Sequence, residues 1–243
     1  FQSDGLGTTI LTTNVVTAVP FLQRNQPLTI TPEYTVRFLE GPDFIDVPSR
    51  LHDVELKFNH LRRISDRWIL NAAIDLGTYA DDHSFDASDA FRVSGRAIGI
   101  YEVSPETRWI VGVAYLNRNN ATVVPVLGWT YTTDDLKLDF IFPQPRVAWR
   151  TWSQGAPGYD ERWWHIAAVF GGGVWSVQRA SGAADNLSYS DYRVVVGTER
   201  KQIGGISRLW EFGYVFAREL EYDSVGADIE IDDSVFVRAG FTY

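Results

Sequence analysis

Asp81-Asp82-His83 is the densest run of side chains in this sequence that could move a proton. A carboxylate beside an imidazole fixes the ring that takes the proton, so an Asp/His pair can activate water. Asp86 and Asp89 extend the same stretch, and no second carboxylate pair can be set beside it, which favours a solvated acidic loop. The remaining histidines are His52, His60 and His165. No His-x-x-x-His or Glu-x-x-His spacing occurs and there is no cysteine, so no metal site is expected. His52 and His60 fall on the mainly apolar parity of one segment, which suits an interfacial or packed histidine. Lipid cleavage would need a serine and a histidine at one depth; His60 and His165 are the candidates, but no nucleophile motif marks a serine. Gly171-Gly172-Gly173 is followed by neither Gly-Lys-Ser/Thr nor a helix, so it is not a phosphate loop. Glycine inside a strand marks a bulge or a place where rings lie over the backbone, and Trp164, Phe170 and Trp175 flank this run. Asp223, Asp228, Glu230, Asp232 and Asp233 could gather divalent cations, but their spacing is not that of an EF-hand loop and plain solvation is the stronger reading. No cofactor is expected.

The elements that must carry these residues are strands. Apolar residues three and four apart, and caps preceding long runs of helix formers, are missing. Strict alternation recurs instead. Between Leu28 and Leu39 one parity reads Leu28, Ile30, Pro32, Tyr34, Val36, Phe38 and the other Thr29, Thr31, Glu33, Thr35, Arg37. The same holds for Val54, Leu56 and Phe58 against Asp53, Glu55 and Lys57, and for Trp210, Phe212 and Tyr214 against Glu211 and Gly213. Successive strand side chains point to opposite faces, so each segment has one greasy face and one wet one. The wet face carries mid-strand charges of both signs: Glu55, Lys57, Asp75, Arg92, Arg96, Asp139, Arg193, Glu199, Glu211 and Arg238.

Composition narrows the partners. A net charge of -9 repels phosphates, so nucleic-acid binding is set aside. No apolar run approaches the roughly 18 residues of a transmembrane helix, but barrels place their apolar surface at every second position. The chain opens at Phe1 with no Met, which reads as a mature fragment whose signal peptide has been removed. No linker, repeat or domain boundary interrupts residues 1–243, so a single domain is expected.

Three features separate a membrane barrel from a soluble sandwich or barrel that binds a ligand. Many segments run about 10–14 residues, whereas globular strands cluster at about 5–6 and a tilted bilayer-crossing strand needs about 9–11. Trp68, Trp109, Trp129, Trp149, Trp163, Trp164 and Trp210 fall near predicted strand ends, where aromatic girdles meet head groups. The charged parity fits a hydrated lumen. Short connections at 63–66, 104–107, 132–135 and 201–206 mostly alternate with long polar ones at 40–50, 80–89, 179–187 and 221–233, as in outer-membrane barrels. Thirteen segments can be counted. Bacterial single-chain barrels have even numbers, so the expectation is an all-β, antiparallel transmembrane β-barrel of about 12 strands, with 10 or 14 as alternatives. The stretch before Pro20 and the break at Phe142-Pro143-Gln144-Pro145 are the weakest segments.

The C-terminal segment 232–243, with Val235, Val237, Ala239, Phe241 and Tyr243 alternating, resembles the last strand of bacterial outer-membrane β-barrel proteins. The resemblance implies recognition by the barrel-insertion machinery, with Tyr243 in place of the commoner Phe. Segments 88–96, 140–146, 170–173 and 213–219 resemble an uncharacterised family of barrels predicted in planctomycete-type bacteria, which brings no activity with it. The expectation is therefore a porin-like, non-enzymatic barrel in the outer membrane of a Gram-negative bacterium. It would be a small-solute channel or a structural and interaction protein, in contact with outer-membrane lipid and lipopolysaccharide. Trp68, Trp109, Trp129, Trp149, Trp164, Trp210 and Tyr243 would form its aromatic girdle. A barrel hydrolase is the enzymatic alternative, since some outer-membrane proteases are implied by resemblance to use Asp and His pairs near the rim.

Overall fold

A computed structural model describes residues 5–21, 23–42, 45–117, 122–226 and 228–243; Phe1, the expected mature start, lies outside them. The described chain is all-β, with no helix long and apolar enough to cross a membrane. Its strands are β1 (Gly7–Asn14), β2 (Thr17–Phe21), β3 (Gln23–Glu40), β4 (Arg50–Arg63), β5 (Trp68–Ala80), β6 (Phe91–Glu102), β7 (Thr107–Tyr115) and β8 (Val123–Thr132). There follow β9 (Leu136–Phe142), β10 (Arg146–Gln154), β11 (Asp160–Gln178), β12 (Ala184–Gln202), β13 (Ser207–Tyr222), β14 (Asp228–Ile231) and β15 (Ser234–Thr242).

All fifteen belong to one sheet in which β3 to β13 follow sequence order. β1 and β2 line the same edge of β3, and β14 and β15 the same edge of β13. Thirteen positions therefore carry the fifteen strands, where the even-number rule had pointed to twelve. The two weak segments are both strands: the N-terminal stretch gives β1 and β2, and 143–145 is a hairpin tip between β9 and β10. β5 to β11 form a closed seven-strand barrel, completed by a parallel bridge between Ala80 and Ser176. The other eight strands lie outside that ring. Near the bridge, the Asp81 amide donates to the Ser176 carbonyl at 3.0 Å.

Alternation becomes two faces of inverted character. On β7 the outward residues Trp109, Val111, Val113 and Tyr115 are 54%, 46%, 50% and 43% exposed. Ile74, Phe91, Leu127, Ile166, Val194 and Phe212 are exposed in the same way on other strands. Asp53, Glu161, His165, Asp191, Glu211 and Arg218, by contrast, are buried. The face holding them is concave, because side chains on it meet across the sheet: Asp53 of β4 accepts a bond from Trp175 of β11, and Arg92 of β6 reaches Asn186 of β12.

An apolar core gathers at one end. Leu51, Trp175, Val177, Leu187, Leu220 and Tyr222 meet Leu6, Ile45 and Ile231 there. In an up-and-down meander alternate connections share an end, and this is the end of the 41–49, 179–183 and 223–227 connections. Asp46 ties that end together. Its carboxylate accepts from Arg179 Nε at 2.7 Å, and its carbonyl from the Tyr222 hydroxyl at 2.6 Å. The Arg179 guanidinium lies 3.7 Å above the Tyr222 ring centre.

Candidate functional site, an inward charged row

Strand register sets six inward residues side by side across β9, β10, β11, β12, β13 and β15: Lys137, Ala148, His165, Gly197, Glu211 and Arg238. From Lys137 to Glu211 small residues alternate with ionisable ones, and the small ones make room. His165 and Glu211 sit on either side of Gly197 and meet over it, His165 Nε2 lying 2.9 Å from Glu211 Oε1. Arg238 Nε donates to the other Glu211 oxygen at 2.6 Å, and Arg238 Nη2 reaches the same oxygen. His165 is only 2% exposed, and its Nδ1 has no hydrogen-bond partner among the described residues. The ring borders a cavity of about 310 Å³ whose polar lining is Gln144, Arg146, His165, Glu199, Glu211 and Arg238.

A methyl group at position 197 would sit 2.6 Å from both Glu211 Cγ and His165 Cε1. Gly197→Ala is therefore expected to separate the pair and destabilise the fold by about 1–3 kcal/mol, the usual range for overpacking. Urea unfolding measures this, and unchanged stability would show that the two side chains can part freely.

The other expected inward charges fall into separate groups. Lys57 pairs with Glu33 at 2.8 Å and Glu55 at 3.2 Å, and Tyr79 donates to Glu55 at 2.7 Å. Asp75 lies opposite Lys57 and Ser94 in register. Arg96 spans two strands to Asn71 at 3.1 Å and Asn59 at 3.3 Å, while Arg92 donates to Asn186 at 3.4 Å. Asp139 is opposite Arg146. Glu199 lies 3.7 Å from Arg146 and 3.5 Å from Lys201. Arg193 forms a two-pronged pair with Asp191, at 2.7 and 2.6 Å. Arg37, Asp53, Asp191 and Arg218 were not singled out from the sequence, although parity already put Arg37 and Asp53 on charged faces.

The seven expected girdle aromatics gather near the end opposite the apolar core. Trp68 lies opposite Tyr101, Tyr101 opposite Trp109, Trp109 opposite Trp129, and Trp129 opposite Phe140. Trp149 is opposite Trp164, and Trp210 packs edge-on to Phe241 with ring centres 6.5 Å apart. Tyr243 ends the same row of strand termini. Trp163 departs from this group. It is buried, donates to Glu161 at 2.8 Å and lies under Lys137 at 4.3 Å. Its neighbour Trp164 faces outward, so strand alternation turns Trp163 inward.

Asp81, Asp82 and His83 do not work together. Asp81 is buried and accepts the amides of His83 at 3.0 Å and Gln178 at 2.8 Å. Asp82 instead meets His52 Nε2 at 2.9 Å and Arg50 Nε at 3.0 Å, while His52 Nδ1 lies 2.8 Å from the Tyr34 hydroxyl. The hydrogen bond with His52, followed by the charge of Arg50, holds the Asp82 carboxyl below its ordinary value. His60 is packed edge-on against Phe21, 5.2 Å between ring centres. In the glycine run, Gly172 has φ +123, and a Cβ on Gly173 would stand 2.5 Å from the Trp175 ring. Among the described residues no group of three or more His, Cys, Asp or Glu is placed to hold a metal ion.

Residues 45–153 match the model of a family described as a domain of unknown function (DUF6268), which agrees with the likeness to an uncharacterised family. Neither the curated proteins nor the solved structures contain a match. The matched stretch carries Lys137 and Ala148 of the row; His165, Gly197, Glu211 and Arg238 lie beyond it.

Proposed function

We propose that this chain is a transmembrane β-barrel of a bacterial outer membrane, acting without catalysis as a structural or interaction scaffold. The observation that carries the reading is the inverted polarity of the wall. Water-exposed apolar patches of this extent are costly for a soluble monomer, and buried paired charges gain from a small hydrated interior. On β7 the apolar band from Trp109 to Tyr115 covers six steps of ~3.3 Å, ~20 Å along the strand and ~15 Å of height at the ~40° tilt of barrel strands. That is more than half the height of the ~25 Å apolar band of outer-membrane barrels, and a row of aromatics at one border suits the head-group level. Outer-membrane lipid, lipopolysaccharide and, during assembly, the barrel-insertion machinery are the partners this reading implies.

An occupied interior favours a scaffold over a solute channel. A ring of about eight strands is only wide enough for its own side chains, and this one has seven. Beside it, the apolar core fills the space between β3–β5 and β11–β13 at one end. A lipid-exposed sheet edge leaves ladder groups unsatisfied, so in a bilayer the free edges of β1/β2 and β14/β15 have to join. Those edges run in the same direction, so joining them gives a parallel seam and thirteen positions; twelve would require one of them to leave the wall.

Membrane residence is tested by fractionation. The chain is expected in the detergent-extracted outer-membrane fraction, with a mobility on gels that changes on heating. Recovery in the aqueous phase without detergent would instead support a soluble ligand-binding barrel. For the scaffold, planar bilayers should show no stable conductance steps over many insertions, and reproducible steps would establish a pore.

A further inference from the structure

On β13 the outward side chains change character partway along the strand. Trp210, Phe212, Tyr214 and Phe216 face out, and beyond them Glu219 and Glu221 do. A bulge makes the switch. Between Ser190 and Tyr192, three steps of β13 oppose two of β12, and Ala217 takes φ +48. The extra residue keeps Arg218, Leu220 and Tyr222 buried inside and turns the two glutamates outward. β14 continues the charged face, with Glu230 opposite Glu219 and Asp228 opposite Glu221. Like charges placed face to face repel strongly in hydrocarbon and cheaply only in water.

A row of rings marks the border. Phe170, Tyr192 and Phe216 lie side by side in register, with successive ring centres 5.4 and 6.0 Å apart. Tyr214 stacks on Phe216 at 6.1 Å, and its hydroxyl donates to the exposed Asp233 at 2.5 Å. A ring with an apolar body and a wet tip suits a head-group boundary. Each strand reaches this row six residues from the lower row of Trp164, Thr198 and Trp210. Six steps of ~3.3 Å give ~15 Å of height at the ~40° tilt of barrel strands. β3 to β6 differ. There the exposed Tyr34, Val54 and Phe91 share a register row with Thr78, ten residues from Trp68 on β5. Leu70, Ala72, Ile74 and Leu76 fill the outward face of β5 between them, and ten steps give ~25 Å of height.

We infer that this chain thins the bilayer along β12 to β14, where its apolar wall is little more than half as tall as on β3 to β6. The inference rests on the membrane reading and adds where the lipid gives way. A tilt of the whole barrel moves both borders together and leaves the wedge in place. Local thinning keeps the outward carboxylates in water at a modest cost per ångström of mismatch. The lipid that fits this flank has short or disordered acyl chains.

The chain has no cysteine, so single-cysteine variants of the full chain each carry one spin label. Val93 and Ser190 sit eight residues from Tyr101 and Thr198 on outward parities, and Phe212 lies inside both borders. In dioleoyl phosphatidylcholine vesicles, labels at Val93→Cys and Phe212→Cys are expected to be reached by oxygen. The label at Ser190→Cys is expected to be reached by a water-soluble nickel chelate. Equal preference at Val93 and Ser190, with Phe212 still reached by oxygen, would overturn the thinning and leave the membrane reading intact. Nickel preference at Phe212 would remove both. A Ser190 label reached by neither probe would assign the flank to a second copy and also overturn the thinning. Folding from urea gives an independent reading. Glu219→Leu/Glu230→Leu should lower the preference for dilauroyl over dioleoyl vesicles about threefold, while Glu106→Leu, in a short turn, should not. An unchanged preference in the double variant would count against the inference.

Discussion

Val113→Arg is expected to lower the yield of assembly in lipid sharply while leaving the inward face intact. Val113 is half exposed on β7, inside the apolar band between Trp109 and Tyr115. A cation on the lipid face near the bilayer centre costs about 2–4 kcal/mol, a large share of a typical domain's net stability. In water the same change at so exposed a position would fall within about ±0.5 kcal/mol and would improve solubility. The two environments thus predict opposite behaviour from one substitution. Folding into lipid vesicles from urea, followed by heat-dependent gel mobility, reads the difference. Wild-type folding yield for Val113→Arg would sink the membrane reading more directly than any fractionation artefact could.

Asp53→Ala should be the most damaging change on the inward face, at about 3–5 kcal/mol, because it leaves a buried charge without its partner. Asp53 accepts from Arg37 Nη2 at 2.6 Å and from Trp175 Nε1 at 2.6 Å. Arg37 in turn lies over the Trp175 ring at 5.2 Å. One carboxylate therefore joins β3, β4 and β11 at the end where the apolar core sits. Asp53→Asn keeps an acceptor for the indole but offers Arg37 no charge, so its loss should be intermediate. Urea unfolding of the three proteins measures this order. If Asp53→Ala unfolds within about 0.5 kcal/mol of the parent, the cross-sheet contact contributes nothing.

The wall was legible because its signal is local. Parity at i and i+2 needs no knowledge of the partner strand, so Val54, Leu56 and Phe58 could be separated from Asp53, Glu55 and Lys57 by reading alone. Parity also held the answer for Trp163 and Trp164, since neighbours in a strand cannot share a face. The site was less legible because register is not written locally. Nothing near His165 says that Gly197 will lie opposite it, or that Glu211 will lie beyond Gly197. Nor could adjacency in the chain show that Asp82 turns to His52 and away from His83. The apolar core escaped for the same reason: Leu6, Ile45, Leu187 and Ile231 come from distant connections and strand ends, each with no pattern of its own.

The bond from Arg218 Nη2 to the Leu6 carbonyl, 2.8 Å long and buried, joins residues 212 positions apart. Most ladders in this sheet, by contrast, link strands that are neighbours in the chain, the kind of contact that forms quickly because little chain has to be closed into a loop. Assembly can thus proceed hairpin by hairpin from β3 to β13, with the clasp between Arg218 and Leu6 made last. Until β13 is in place, Leu6 has nothing to hold its carbonyl, and the first strands must wait with one side unprotected. A chain built this way depends on its final third to finish its beginning, so truncation after β12 should leave the first strands as the earliest site of proteolysis.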